Sequence, residues 1–280
     1  MIKQITFNSE YFNATDTLEC GQIFRFSRVK EGYLVISSDK ACIISTEQDN
    51  TVILCEEEHE NYFYNFFDLS RDYSKIYKSA QKSGVQVLKT ASKLAKGVRI
   101  LNQNSEEMTI SFMISQNNNI PRIKRIINAL CVSLGEKKQF MGYDYYSFPT
   151  LSAFLAKDEQ FYKDTGMGYR ANYMASVCEF LQNNDLSKLG ELSDEKLKAI
   201  LLKVKGIGEK VANCVCLFGF HKTHSFPVDT WIEKIYIENF NGKLNNRDKI
   251  TQYFKKLFGE NSGYFQQYLF YYKRSLEKLQ

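Results

Sequence analysis

The chain has 280 residues, 44% hydrophobic and 25% charged, the balance of a soluble globular protein and not of a disordered one. No apolar run approaches the ~18 residues of a membrane span, and Met1–Thr6 lacks the apolar core of a signal peptide. The expected location is therefore the cytoplasm, with the nucleoid in a prokaryote, or the nucleus if the source has one. The net charge of +5 permits nucleic-acid binding without demanding it. The cysteines (Cys20, Cys42, Cys55, Cys131, Cys178, Cys214 and Cys216) are scattered and form no Cys-x-x-Cys pair, which fits free thiols in a reducing compartment.

Residues 1–56 are β-rich. Tyr33–Ser37, Ala41–Ser45 and Thr51–Leu54 are short β-favouring runs separated by turn-like Ser38-Asp39 and Asp49-Asn50, so a small antiparallel sheet is expected. Alternation in Ile23-Phe24-Arg25-Phe26 predicts a further strand with Gly21 at its entry. On its own Gly21 is a turn or bulge glycine. From Asn61 aromatic residues recur at helical spacing, and beyond Lys96–Leu101 the pattern is helical to the end. The fold class is α+β: an N-terminal antiparallel β domain with helices over 1–95, then a helical domain over 96–280 made of two subdomains with the site between them.

Within the helical part, Ser105-Glu106-Glu107 can cap a helix carrying Ile110, Phe112, Met113 and Ile114. Ser115–Arg122 follows as an inter-helix turn rich in asparagine, and Pro121 suits only the first turn of the next helix. The aromatic run Tyr143–Tyr146 is expected as a connecting loop. Thr165–Arg170 is a glycine turn in which Tyr169 and Arg170 are either core plus solvated charge, or a wedge and a donor beside DNA.

The chemistry concentrates in residues 193–231. Ser193 caps a helix whose Leu197, Ile200, Leu201 and Val204 form one apolar stripe, and Lys205-Gly206-Ile207-Gly208 breaks it. A second helix starts at Glu209, so its free amides leave the turn as an anion site. Lys210 lies in its first turn, Cys214 one turn later, and Asp229 follows Lys210 by nineteen residues, after Pro227-Val228. On periodicity alone, Phe270 in the C-terminal helix belongs to the core.

The helix-hairpin-helix with Lys210 and Pro-Val-Asp229 resembles the base-excision glycosylases of the HhH-GPD superfamily. Asn-Asn-Asn-Ile-x-Arg, Gly-x-Gly-Tyr-Arg and Gln266-x-x-x-Phe270, in that order behind a β domain, are similar to the 8-oxoguanine glycosylase branch along nearly the whole chain. The resemblance implies a monomeric enzyme that flips 8-oxoguanine, paired with cytosine, out of double-stranded DNA, with no membrane partner. Lys210 is then the nucleophile and Asp229 the carboxylate that stabilises positive charge on the sugar. The attack needs the free amine, which burial and a helix N-terminus both favour.

By the same resemblance Gly21 offers its carbonyl to N7–H of the lesion, Gln266 reads the Watson–Crick edge, and Phe270 and Cys214 sandwich the base. Asn117 fills the vacated space, Arg122 and Arg170 bond the orphaned cytosine, and Tyr169 is the wedge. Amides around Gly206, Gly208 and Val211 hold a phosphate. No cofactor is required: a cation on the hairpin carbonyls would be structural, no catalytic metal cluster is indicated, and the four-cysteine iron–sulfur loop of the endonuclease III branch is absent. Trp231 departs from the pattern, since eukaryotic members carry histidine there. Its indole N–H can still donate to a phosphate but carries no charge. A glycosylase for another oxidised base, or a non-catalytic DNA-binding module, are the alternative readings.

Overall fold

The β-branched runs of the N-terminal part pair into an antiparallel five-stranded sheet in the order β1-β5-β4-β3-β2. In this computed structural model, which describes residues 1–47 and 49–278, they are β1 Ile2–Asn8, β2 Phe26–Val29, β3 Gly32–Ser37, β4 Lys40–Glu47 and β5 Asn50–Glu56. Alternate residues point to opposite faces, so Val35, Cys42, Ile44 and Ile53 pack on Leu18, Phe63, Phe66 and Phe67. Leu34, Ala41 and Ile43 face the other way.

That second face is covered by a hairpin, β6 Lys137–Phe140 and β7 Tyr143–Tyr146, whose Phe140 and Tyr145 are buried against it. Residues 143–146 are thus a strand and not a connecting loop, and the chain is not helical from residue 96 to its end. The turn residues Met141 and Gly142 both have positive φ, +47° and +84°, as a tight two-residue hairpin requires. The exposed apolar face of the sheet supplies the reason for the pairing, and it lies about a hundred residues away in sequence.

The stretch before β2 also differs from expectation. Ile23, Phe24 and Arg25 are all buried and precede the strand, because this segment runs through the seam between sheet and helices. There the Gln22 side chain donates to the Arg99 carbonyl (2.7 Å) and accepts from the Leu101 amide (2.8 Å). Arg25 pairs with Glu107 at 3.2 Å, and Glu107 also accepts from the Ser38 amide at 2.7 Å. Burial nonetheless raises the Glu107 pKa, the arginine opposing it. These bonds tie the backbone next to Gly21 to the helical part of the molecule.

The helices Tyr73–Lys82 and Gln86–Leu94 bury Tyr73, Ile76, Leu88 and Ala91 in the same core as the later helices. At its centre the Ser105–Ile114 helix, buried from Glu107 onward and capped by Asn104 instead of Ser105, lies against the Glu209–Gly219 helix. Phe112 and Phe218 stack between them at 5.3 Å. The Ile120–Leu134 helix starts with Pro121 in its first turn, as expected. All seven cysteines are free and buried, and no helix among the described residues is long and apolar enough to cross a membrane.

Candidate active site

The hairpin is built as its sequence requires, but its two glycines do different work. Ser193 caps the Asp194–Leu201 helix by accepting from the Lys196 amide. Gly206 has φ +96°, and a Cβ there would meet the Tyr173 ring at 2.5 Å. It makes the reversal. Gly208 has an ordinary φ of −94° and caps the Glu209–Gly219 helix, and a Cβ would have nothing within 4 Å. It leaves the amide end of the helix open to a ligand.

Lys210 emerges from this open end. Its Nζ donates to Ser115 Oγ at 3.0 Å and lies 5.4 Å from the centroid of the Phe112 ring. Asp229 caps the Thr230–Phe240 helix, with Oδ1 accepting from the amides of Trp231 and Ile232, both at 3.0 Å. Desolvation raises its pKa, opposed by those amides, Lys210 and Arg247. Lys210, Asp229 and Trp231 line two adjoining spaces: a cavity of about 450 Å³ and a more open groove of about 660 Å³.

The cavity gathers residues distant in sequence. Gly21, Cys214, Gln266 and Phe270 all line it. Gly21 has φ +82°, a conformation that favours glycine, and a Cβ there would stand 3.3 Å from Ile120 Cδ1 and 3.4 Å from the Phe270 ring. Phe270 is half-buried at the edge of the core, its ring turned to the cavity. Burial pushes the Cys214 thiol up to about 11, with Lys210 opposing, so it faces the cavity as a neutral thiol. Gln266 is buried, donates to the Pro227 carbonyl at 3.2 Å and accepts from Gln267 at 3.0 Å.

The groove carries Asn117, Arg122, Gly208 and Val211. Asn117 is exposed, has φ +43° and donates to the Tyr169 hydroxyl at 3.3 Å. Tyr169 is 48% exposed. Arg122 is exposed, with one N–H on the Gly166 carbonyl at 3.0 Å. Arg170 lies deeper than Arg122. It is only 2% exposed, and it donates to the carbonyls of Gln116 (2.7 Å), Asn117 (2.9 Å) and Met167 (3.2 Å). Its guanidinium holds the 116–117 turn from beneath the surface. Trp231 is half-buried, with the Lys234 ammonium 4.9 Å from its ring.

Ser115 and Arg247 are among the site residues not singled out from sequence. Ser115 lies in the asparagine turn, and nothing in its identity announces that it meets Lys210. Arg247 reaches the groove from the first position of the Arg247–Phe258 helix, which Asn246 caps.

Residues 4–109 match the model of the 8-oxoguanine DNA glycosylase N-terminal domain, and residues 110–260 match that of the HhH-GPD superfamily of base excision DNA repair proteins. The 8-oxoguanine glycosylase/lyase of Clostridium acetobutylicum in its apo form is 35% identical, with 97% of this chain and 98% of that one superposed at a TM-score of 0.90. The chain belongs to the 8-oxoguanine glycosylase branch of the HhH-GPD superfamily. The Clostridium enzyme in complex with double-stranded DNA carrying cytosine opposite 8-oxoguanine superposes equally well, at a TM-score of 0.91, 34% identity and coverage of 99% of this chain and 98% of that one. A probable N-glycosylase/DNA lyase of Methanothermobacter thermautotrophicus is 27% identical over 74% of this chain and 72% of its own length. The N-glycosylase/DNA lyase of Saccharomyces cerevisiae is 36% identical over 50% of this chain, a match that spans 41% of the yeast protein.

Proposed function

We propose that the chain is a bifunctional DNA glycosylase and AP lyase that removes 8-oxoguanine from duplex DNA, opposite cytosine. The observation that carries this is the position of Lys210, a primary amine at the junction of a cavity and a more open groove, beside the half-buried carboxylate cap Asp229. The groove takes the duplex and the cavity takes the flipped nucleotide. The Nζ lone pair forms a bond to C1′, the glycosidic bond breaks, and its electron pair leaves with the base, which takes up a proton. Loss of a proton from nitrogen and opening of the C1′–O4′ bond give the Schiff base. Removal of a C2′ proton then expels the 3′ phosphate. Asp229 sits where positive charge develops on the sugar and lowers the barrier electrostatically.

Specificity for the lesion follows from the Gly21 backbone. An acceptor carbonyl facing N7 gains a hydrogen bond from 8-oxoguanine and faces a lone pair in guanine, a difference of about 1–3 kcal/mol. Cys214 and Phe270 provide the two apolar faces, and Gln266 must share its amide with Pro227 and Gln267 while reading the base edge. The groove amides of Gly208 and Val211 suit a phosphate. The chemistry needs no cofactor, and a structural cation on the hairpin would share the Gly206 carbonyl with Gln116.

Borohydride should trap a covalent complex with an 8-oxoguanine:cytosine duplex, and Lys210→Gln should abolish it. Trapping that survives this change removes the lysine assignment. The same duplex with each of the other opposite bases, beside duplexes carrying an oxidised pyrimidine, tests the lesion and its partner.

A further inference from the structure

We propose that Arg247 is a ligand for a DNA phosphate, and that Glu233 occupies it until DNA binds. This rests on reading the groove as the duplex-binding surface. Arg247 lines that groove together with the open amide end at Gly208 and Val211 and with Trp231. Three basic side chains face the space: Arg122, Lys210 and Arg247. The acids among the lining residues are already engaged. Glu209 pairs with Lys198 at 2.6 Å, and Asp229 caps a helix. Lys210 is held at Ser115 beside the cavity, so it is not free to follow the backbone of the duplex.

Arg247 differs from these in its partner. Its Nη2 donates to Glu233 Oε2 at 2.6 Å, and both side chains remain partly exposed, at 42% and 27%. A guanidinium offers five N–H donors in a fork that fits phosphate oxygens, and Glu233 engages it from one side. Exposed ion pairs of this kind are weak and screened by salt, so exchange of the carboxylate for a phosphate is an easy step. Trp231, at the same wall, brings surface and one N–H without charge. Arg247 brings a forked, charged donor to this wall, and the Glu233 carboxylate competes with DNA for it.

The test is equilibrium binding of an undamaged duplex by fluorescence anisotropy, across salt from about 50 to 200 mM. Arg247→Ala should weaken binding about 5- to 10-fold at the low end and reduce the slope of log K against log salt by about 0.9, the value of one phosphate contact. Arg247→Lys should keep most of that slope. Glu233→Gln should tighten binding several-fold in the wild-type background and do nothing in Arg247→Ala. An unchanged slope in Arg247→Ala, or an equal gain from Glu233→Gln in both backgrounds, overturns the proposal. Nicking of an 8-oxoguanine duplex by the wild-type protein separates the two readings. Binding without nicking sinks the repair function alone, and nicking with an unaltered slope sinks the role of Arg247 alone.

Discussion

Lys210 and Ser115 meet across two helices: Nζ donates to the serine Oγ at 3.0 Å, while that hydroxyl donates its own proton to the Phe112 carbonyl at 2.7 Å. A hydroxyl has one proton, so Ser115 faces the amine as an acceptor only. The contact fixes the direction of Nζ at the mouth of the cavity, which makes Ser115 a positioning residue. Ser115→Ala is expected to lower the single-turnover excision rate about 10-fold, roughly 1.4 kcal/mol in the barrier. Thr at this position, which keeps the oxygen, should restore most of the rate. A loss confined to duplex affinity, with excision intact, would falsify this role.

The two hairpin glycines should separate stability from binding. Gly206→Ala forces a Cβ into the Tyr173 ring at a φ of +96°, and a cost of at least about 1–3 kcal/mol is expected in urea unfolding. Gly208→Ala meets no atom within 4 Å and should unfold within about 0.5 kcal/mol of wild type, while binding duplex more weakly because the methyl covers the amide end. Equal destabilisation by both changes would contradict the division of labour.

Asp229 is held at an energetic cost. Its folded pKa is raised by burial, so folding favours the protonated form. The contribution to stability is full below the ordinary carboxylate range and is lost as pH rises through the raised folded value. At neutral pH the ionised carboxylate therefore works against the fold. Asp229→Asn keeps a capping oxygen and removes the charge. It is expected to stabilise the protein at pH 7 by about 1 kcal/mol, with the gain shrinking toward pH 4, and to lose most excision activity. Thermal melts across that range check the sign.

Arg25 and Glu107 form the buried pair that joins the sheet to the central helix, at 7% and 3% exposure. Glu107→Ala leaves a guanidinium in the seam with its charge unpaired, and about 3–5 kcal/mol should be lost. Replacing both partners with apolar residues of similar volume should cost much less than either single change. Because Gln22 and Gly21 lie on the same segment, the single variant should also raise KM for damaged duplex more than its stability loss explains.

The sequence alone determined the reaction. Hairpin glycines, Lys210, the acid after Pro-Val and the first-turn Pro121 are local devices, governed by backbone geometry and capping within a few residues, and the folded chain shows each of them in place. The sheet was legible for the same reason in β3, β4 and β5.

What only the tertiary structure decided depends on residues far apart in the chain. The β6–β7 hairpin is a pair of strands because an apolar sheet face formed long before it needs cover. Ile23–Arg25 loses its alternation because both sides of that segment are buried. Arg170 reaches back to the carbonyls of Gln116 and Asn117, and Arg247 comes to the groove from a helix late in the chain. Gly21, Cys214, Gln266 and Phe270 become one cavity only when the C-terminal helix closes over the seam between sheet and helices. Spacing encodes a turn or a cap, but which side chains share a wall is set by long-range packing.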